Sequence, residues 1–172
     1  MYRPMPLYRA LQRSRFPIRT MSTLPKPLPV VLCGKNADIG GPVSSLLQPD
    51  YEVVHFIQTK EAALAEIPHH LAGRGPQSSG DNGVGTHEYG RPVRAVIFGR
   101  GYSLEDIEHF YKASAGSNVE PVAWIAGDPA KKPNPNAPPP GPGYAQVATD
   151  GVKVVLEKWK EEGATEDGIF LW

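Results

Sequence analysis

The stretch Gly34-Lys35-Asn36-Ala37-Asp38-Ile39-Gly40 is the part of this sequence best suited to chemistry. It follows a short apolar run and precedes apolar residues at helical spacing. Glycines in such a turn let the backbone come close to a ligand. The free N–H groups at the start of the following helix attract phosphate. Asp38 works against this, because it adds a side chain and a negative charge where a diphosphate would sit. Facing the ligand, it would repel phosphate. Turned away, it would cap a helix begun at Gly40. Three further loops stand where ligands meet a sheet of this kind: Gln58-Thr59, Gly99-Arg100-Gly101-Tyr102 and Gly127-Asp128. Arg100, between two glycines, either clamps an anion or is simply solvated.

Other reactive residue types read as structural. Cys33 sits at a strand end near a helix start, which would lower its pKa, but a lone cysteine is more often a small buried side chain. His69 and His70 are adjacent, so they point to different sides of a helix and do not chelate together. His87 and Glu88 lie in a Gly/Ser/Asn-rich stretch without metal-ligand spacing, and no metal site is assigned. Asp128 before Pro129 opens a turn, and Trp124 within a strand belongs to the core.

The elements that must position these loops follow from periodicity. Residues 30–33 (VVLC), 51–59, 93–98 and 121–126 read as buried strands. Helices are expected over 42–47, with Pro42 in its first turn, over 60–72, from a Thr59 cap, and from Ser103 to about Ala115. Pro68 should kink the second of these or end it early. Ser103 and Asp106 have capping-box spacing. A last helix starts at Thr149 or Asp150 and ends at Gly163, and residues 168–172 (GIFLW) form an edge strand. Apolar strands alternating with amphipathic helices imply a small doubly wound α/β domain, three layers around a parallel sheet of four to five strands. Strand order 2-1-3-4 follows if the chain reverses after the second helix. Ligands then bind at the carboxyl ends of the strands, beside that reversal.

The run from Val31 to Gly40 resembles the T-G-x-x-x-G-I-G turn of short-chain dehydrogenase/reductases and related Rossmann domains. Gly34, Ile39 and Gly40 match, while Cys33 replaces the Thr and Asp38 the middle Gly. The resemblance covers residues 30–59. It implies a Rossmann-like protein that binds a nucleotide or dinucleotide, NADP or NAD, through Gly34, Lys35, Asn36, Asp38, Ile39, Gly40, Gln58, Thr59, Gly99 and Arg100. The acid that would mark NAD at the second strand end is absent. Gln58-Thr59, with Lys35 or Arg100 as the cation, suit a phosphorylated ribose better. The turn is also similar to the opening of coenzyme A-binding Rossmann domains. The family's catalytic Y-x-x-x-K does not carry over, because no tyrosine here has a lysine four residues on. The alternative is a non-catalytic Rossmann-like subunit that works through a protein partner or a second copy of itself. A P-loop, a phospho-receiver site, a flavodoxin phosphate loop and a G-x-S-x-G elbow are all absent.

Composition narrows the classes further. The 172 residues suit one domain, spanning 22–172, with flexible loops at 73–91 and 128–143. The second loop carries seven prolines and is a stiff spacer or a contact for a partner. Eighteen basic and 18 acidic side chains leave no basic excess for nucleic acid. No apolar run approaches the ~20 residues that span a membrane. One cysteine excludes an internal disulfide framework. The balance is uneven along the chain. Residues 1–20 hold five arginines and no acid, and the first acid is Asp38. Such a start is the composition of a transit peptide to the mitochondrial matrix. The competing readings are a true start at Met21, with a cytoplasmic protein, and a disordered leader.

Overall fold

The apolar strand runs sort their side chains by parity, as a pleated strand covered on both faces must. Val30 and Leu32 face one layer, and Val31 and Cys33 face the other. Ala95 and Ile97 are divided in the same way from Val96 and Phe98, and Ala123 and Ile125 from Trp124 and Ala126. In the computed structural model, which describes residues 24–77, 82–131, 141 and 143–172, these runs are β1 (Leu28–Cys33), β3 (Ala95–Phe98) and β4 (Ala123–Ala126). With β2 (Tyr51–Ile57) and β5 (Gly168–Leu171) they form a five-stranded, wholly parallel sheet of order β2-β1-β3-β4-β5. The chain reverses after α2, as expected, so β1 and β3 are neighbours and flank the switch point.

Helices α1 (Ala37–Leu47) and α4 (Tyr144–Glu161) cover one face; α2 (Lys60–Leu71) and α3 (Leu104–Ala113) cover the other. The fold is therefore a three-layer α/β domain, consistent with the Rossmann/flavodoxin-like type. Each buried Val, Leu, Ile or Phe of these layers contributes roughly 1.5–3 kcal/mol relative to exposure. No helix among the described residues is long and apolar enough to cross a membrane. The leader-like residues 1–20 and most of the proline segment, residues 132–140 and 142, lie outside the described residues.

Two helix starts differ from expectation, and a third helix runs through a proline expected to kink it or end it early. α1 starts at Ala37, ahead of the expected 42–47, because Asn36 caps it: its Oδ1 accepts the Asp38 N–H at 2.9 Å. Asp38 is thus no cap, and Pro42 falls in the second turn. α2 continues through Pro68 to Leu71, where burial of Ile67 and Leu71 outweighs the missing N–H. α4 starts at Tyr144, ahead of the expected Thr149 or Asp150. Thr149 is instead buried inside the helix, its hydroxyl donating to the Ala145 carbonyl at 2.7 Å. The expected capping box on α3 forms, with Ser103 and Asp106 bonded reciprocally at 3.1 Å.

One irregularity redirects side chains. Val30 pairs with Val53, but Val31 pairs with His55, so Val54 bulges from β2. The extra residue lets Val54 and His55 both serve the α2 side, while Phe56 returns to the α1 side. The second described part of the expected insertion, residues 82–91, lies along this strand. Thr86 N–H donates to Val53 O at 2.9 Å, and His87 N–H donates to Val54 O at 3.0 Å. The outer edge of β2 is covered there.

Candidate functional site

At the switch point, the carboxyl ends of β1 and β3 open into a cleft of about 210 Å³. Its walls are largely apolar, with Ile39, Val43, Phe56, Ile97, Val152 and Trp172 among them. Lys35, Asn36, Arg100 and Tyr144 supply its polar side chains. The loops that shape it are tied together: Gly99 N–H donates to Cys33 O at 2.8 Å, and Gly34 N–H donates to Ile57 O at 2.9 Å.

The two glycines of the first turn serve packing. A Cβ at Gly40 would lie 2.6 Å from the Phe56 ring, and one at Gly34 would lie 3.1 Å from it. Gly40 thus does what the last glycine of a Rossmann turn does, bringing helix and sheet close. The Asp38 N–H, which a phosphate would otherwise approach, is already bonded to Asn36.

Arg100 is held in place. Its guanidinium carbon lies 4.5 Å from the Trp172 ring centroid, and Nη1 donates to Asp128 O at 3.1 Å. Trp172 is itself fixed. Its N–H donates to Ala126 O at 2.9 Å, its carbonyl accepts from Asp128 N–H at 3.0 Å, and its ring lies over Gly151, where a Cβ would approach to 2.9 Å. Lys35 is exposed and runs alongside Gly101, with Nζ 5.8 Å from the Tyr102 ring. Burial raises the Tyr144 phenol above its usual value, with Arg100 opposing.

Of the ten residues that the sequence nominated, the cleft brings together Gly34, Lys35, Asn36, Ile39, Gly40, Gly99 and Arg100. The other three stand elsewhere. Asp38 is exposed in the first turn of α1, where its charge suits the helix dipole. Thr59 caps α2 by accepting the Ala62 N–H at 3.1 Å. Gln58 donates weakly to the Lys35 carbonyl at 3.5 Å. Asp128 opens a turn, its Oδ1 accepting the Ala130 N–H at 2.9 Å. Cys33 is fully buried, and burial, with Glu66 adding, pushes its thiol up and away from reactivity. Phe56, Tyr144 and Trp172 were not nominated. They reach the cleft from β2, α4 and the position just after β5, and nothing local in the sequence marks them.

A second cluster lies on the α2 face. His55 Nε2 stands 3.1 Å from Glu66 Oε2, and His55 Nδ1 stands 3.0 Å from the Tyr89 hydroxyl. The His70 ring centroid is 4.8 Å from that of His55 and 5.4 Å from that of Tyr89. His70 is 1 % exposed, and neither of its ring nitrogens has a hydrogen-bond partner. Burial, then the nearby His55 and His69, pushes its pKa down to about 4. The signal for this cluster was Glu66 and His70, one helical turn apart on one face. His55 gave none, because the bulge that aims it is invisible to a strict period of two.

The fold and cleft define a three-layer α/β protein with a cleft at its topological switch point. Within that class, the chain is 34% identical over 151 residues to Kojic acid related protein 6 of Aspergillus oryzae (strain ATCC 42149 / RIB 40). The match covers 86% of this chain and 89% of that protein, and the chain belongs to the same family. No family model matches the chain, and no solved structure does.

Proposed function

We propose that the protein is a Rossmann-like nucleotide-cofactor-binding protein whose cleft takes a mononucleotide-sized part of its ligand. The observation that carries this reading is the placement of Lys35 and Arg100. They stand on the two loops that flank the switch point, beside apolar and aromatic walls. Such walls suit a base or another planar ring, and the two cations suit a phosphate. A volume of about 210 Å³ is below the ~300–1,000 Å³ of most small-molecule sites. A dinucleotide would therefore extend out of the cleft. NADP, NAD and coenzyme A share an adenosine phosphate, and that fragment is the part assigned to the cleft.

The test is thermal stability of the full chain with NADP(H), NAD(H), coenzyme A and AMP. A ligand that binds the folded protein must raise Tm by mass action. A rise with AMP and with at least one of the larger cofactors is expected, and no shift at millimolar ligand would overturn the reading. Kojic acid belongs in the same series, because the relative's name carries it. A shift with kojic acid and with no nucleotide would replace this reading with that of a binder of small oxygen heterocycles.

A second reading, a non-catalytic subunit acting through a protein partner, is favoured by one feature. Among the described residues, the polar side chains that line the cleft include no carboxylate or imidazole to act as a base. Turnover of any substrate by the purified chain would remove it.

A further inference from the structure

His55, Glu66 and His70 each present a ligand-type atom, and these atoms lie within 4.8 Å of one another. All three residues are buried, at 4 %, 6 % and 1 % exposure. Four features converge on them. The β2 bulge turns His55 toward α2. Glu66 and His70 stand one turn apart on the inner face of α2. Tyr89 lies 3.0 Å from the other nitrogen of His55, the kind of outer contact that fixes the ring of a metal-bound histidine. Gly85, at φ +105°, brings the covering segment against the bulge, where a Cβ would meet the Val54 carbonyl at 3.0 Å.

His70 is the part that a purely structural network leaves unexplained. A buried imidazole with neither nitrogen hydrogen-bonded costs free energy, and native proteins seldom leave one so.

We propose that His55, Glu66 and His70 form a binding site for a divalent first-row transition metal of the zinc type. Two imidazoles and one carboxylate are a ligand set for such ions, whereas magnesium and calcium prefer all-oxygen sites. Tetrahedral ligation at about 2.0–2.1 Å separates ligand atoms by roughly 3.3 Å. His55 Nε2 and Glu66 Oε2, at 3.1 Å, already meet that spacing. Side-chain rotation of His70 closes the remainder. The ion would join β2 to α2 beneath the segment carrying His87 and Tyr89, on the sheet face opposite the α1–α4 layer that lines the cleft. The site is independent of the cleft's ligand.

The experiment uses tag-free full-length protein stripped with a chelator and dialysed. Titration with Co²⁺ is followed by its visible ligand-field absorption, and titration with Zn²⁺ is followed by displacement of Co²⁺ and by Tm. One equivalent of Co²⁺ should produce absorption of tetrahedral or five-coordinate type, and Zn²⁺ should abolish it and raise Tm. Loss of outer-shell partners alone costs about 10–100-fold in metal affinity. His70→Ala and Glu66→Gln should therefore weaken Zn²⁺ at least about 100-fold, while His69→Ala binds as the wild type does. Stripped wild-type protein that gives no Co²⁺ absorption and no Zn²⁺-dependent Tm shift overturns the proposal, with no variant needed. Zn²⁺ binding unchanged in folded His70→Ala protein, judged by circular dichroism, also overturns it.

Discussion

The ring of Phe56 fills the space above Gly40, so that a Cβ at position 40 would come within 2.6 Å of it. The pair couples β2 to α1 and forms one wall of the switch-point cleft. Gly40→Ala should destabilise the protein by about 1–3 kcal/mol, the usual cost of overpacking. Phe56→Leu in the same background should recover part of that loss, as contacting sites are non-additive. Urea unfolding of the two single variants and the double variant checks this. Additive losses would mean that the glycine does not serve the ring.

The cap on α1 is Asn36, with Asp38 only a first-turn charge. Asn36→Ala should cost about 1 kcal/mol, and Asp38→Ala only a few tenths through the helix dipole. Chemical denaturation distinguishes them, and the reverse order would restore Asp38 as the structural residue of the turn.

His70 gives the metal-free protein a pH dependence of stated sign. Its folded pKa, about 4, lies below its ordinary 6.5, so between these values the unfolded chain binds the extra proton. Stability should then rise with pH through that window and be lost as pH falls toward 4. The ceiling is about 3 kcal/mol, from 1.36 kcal/mol per pH unit. His55 and His69 add to that downward shift, and Glu66 stands in the same cluster. Urea midpoints between pH 4.5 and 7 for wild type and His70→Gln test it, and parallel curves would exclude His70 as the source.

Much of the architecture was legible because it rests on parity and on one topological rule. Four buried runs with amphipathic segments between them specify a parallel doubly wound sheet, and reversal after α2 specifies the order. The α4 boundary was hidden because residues 144–148 follow directly on the proline-rich segment and read as its continuation, while packing against α1 extends the helix back to Tyr144. Seven of the ten nominated site residues line one cleft because the carboxyl-end rule selects loops, which are contiguous in sequence. Thr59 stands outside the cleft because a strand end and a helix cap coincide there. Phe56, Trp172 and His55 were missed because long-range packing and a bulge, rather than local pattern, aim them.

Arg100 stacks on Trp172 and bonds the Asp128 carbonyl, so its cation is aimed before a ligand arrives. Arg100→Lys keeps the charge but loses the planar stacking, and it should recover little of the affinity that Arg100→Ala loses. Competition binding of both variants against wild type, with the best ligand of the thermal series, reads this directly.

The central claim, that Lys35 and Arg100 at the switch point recognise a nucleotide phosphate, is tested most directly by calorimetric titration of AMP. The wild type should bind with measurable affinity. Lys35→Ala and Arg100→Ala should each weaken binding by about 10–100-fold, the range for loss of a charged hydrogen bond. Adenosine, lacking the phosphate, should bind weakly and equally to all three proteins. No binding of AMP by the wild type, or equal affinity in folded Lys35→Ala and Arg100→Ala proteins, would contradict the account.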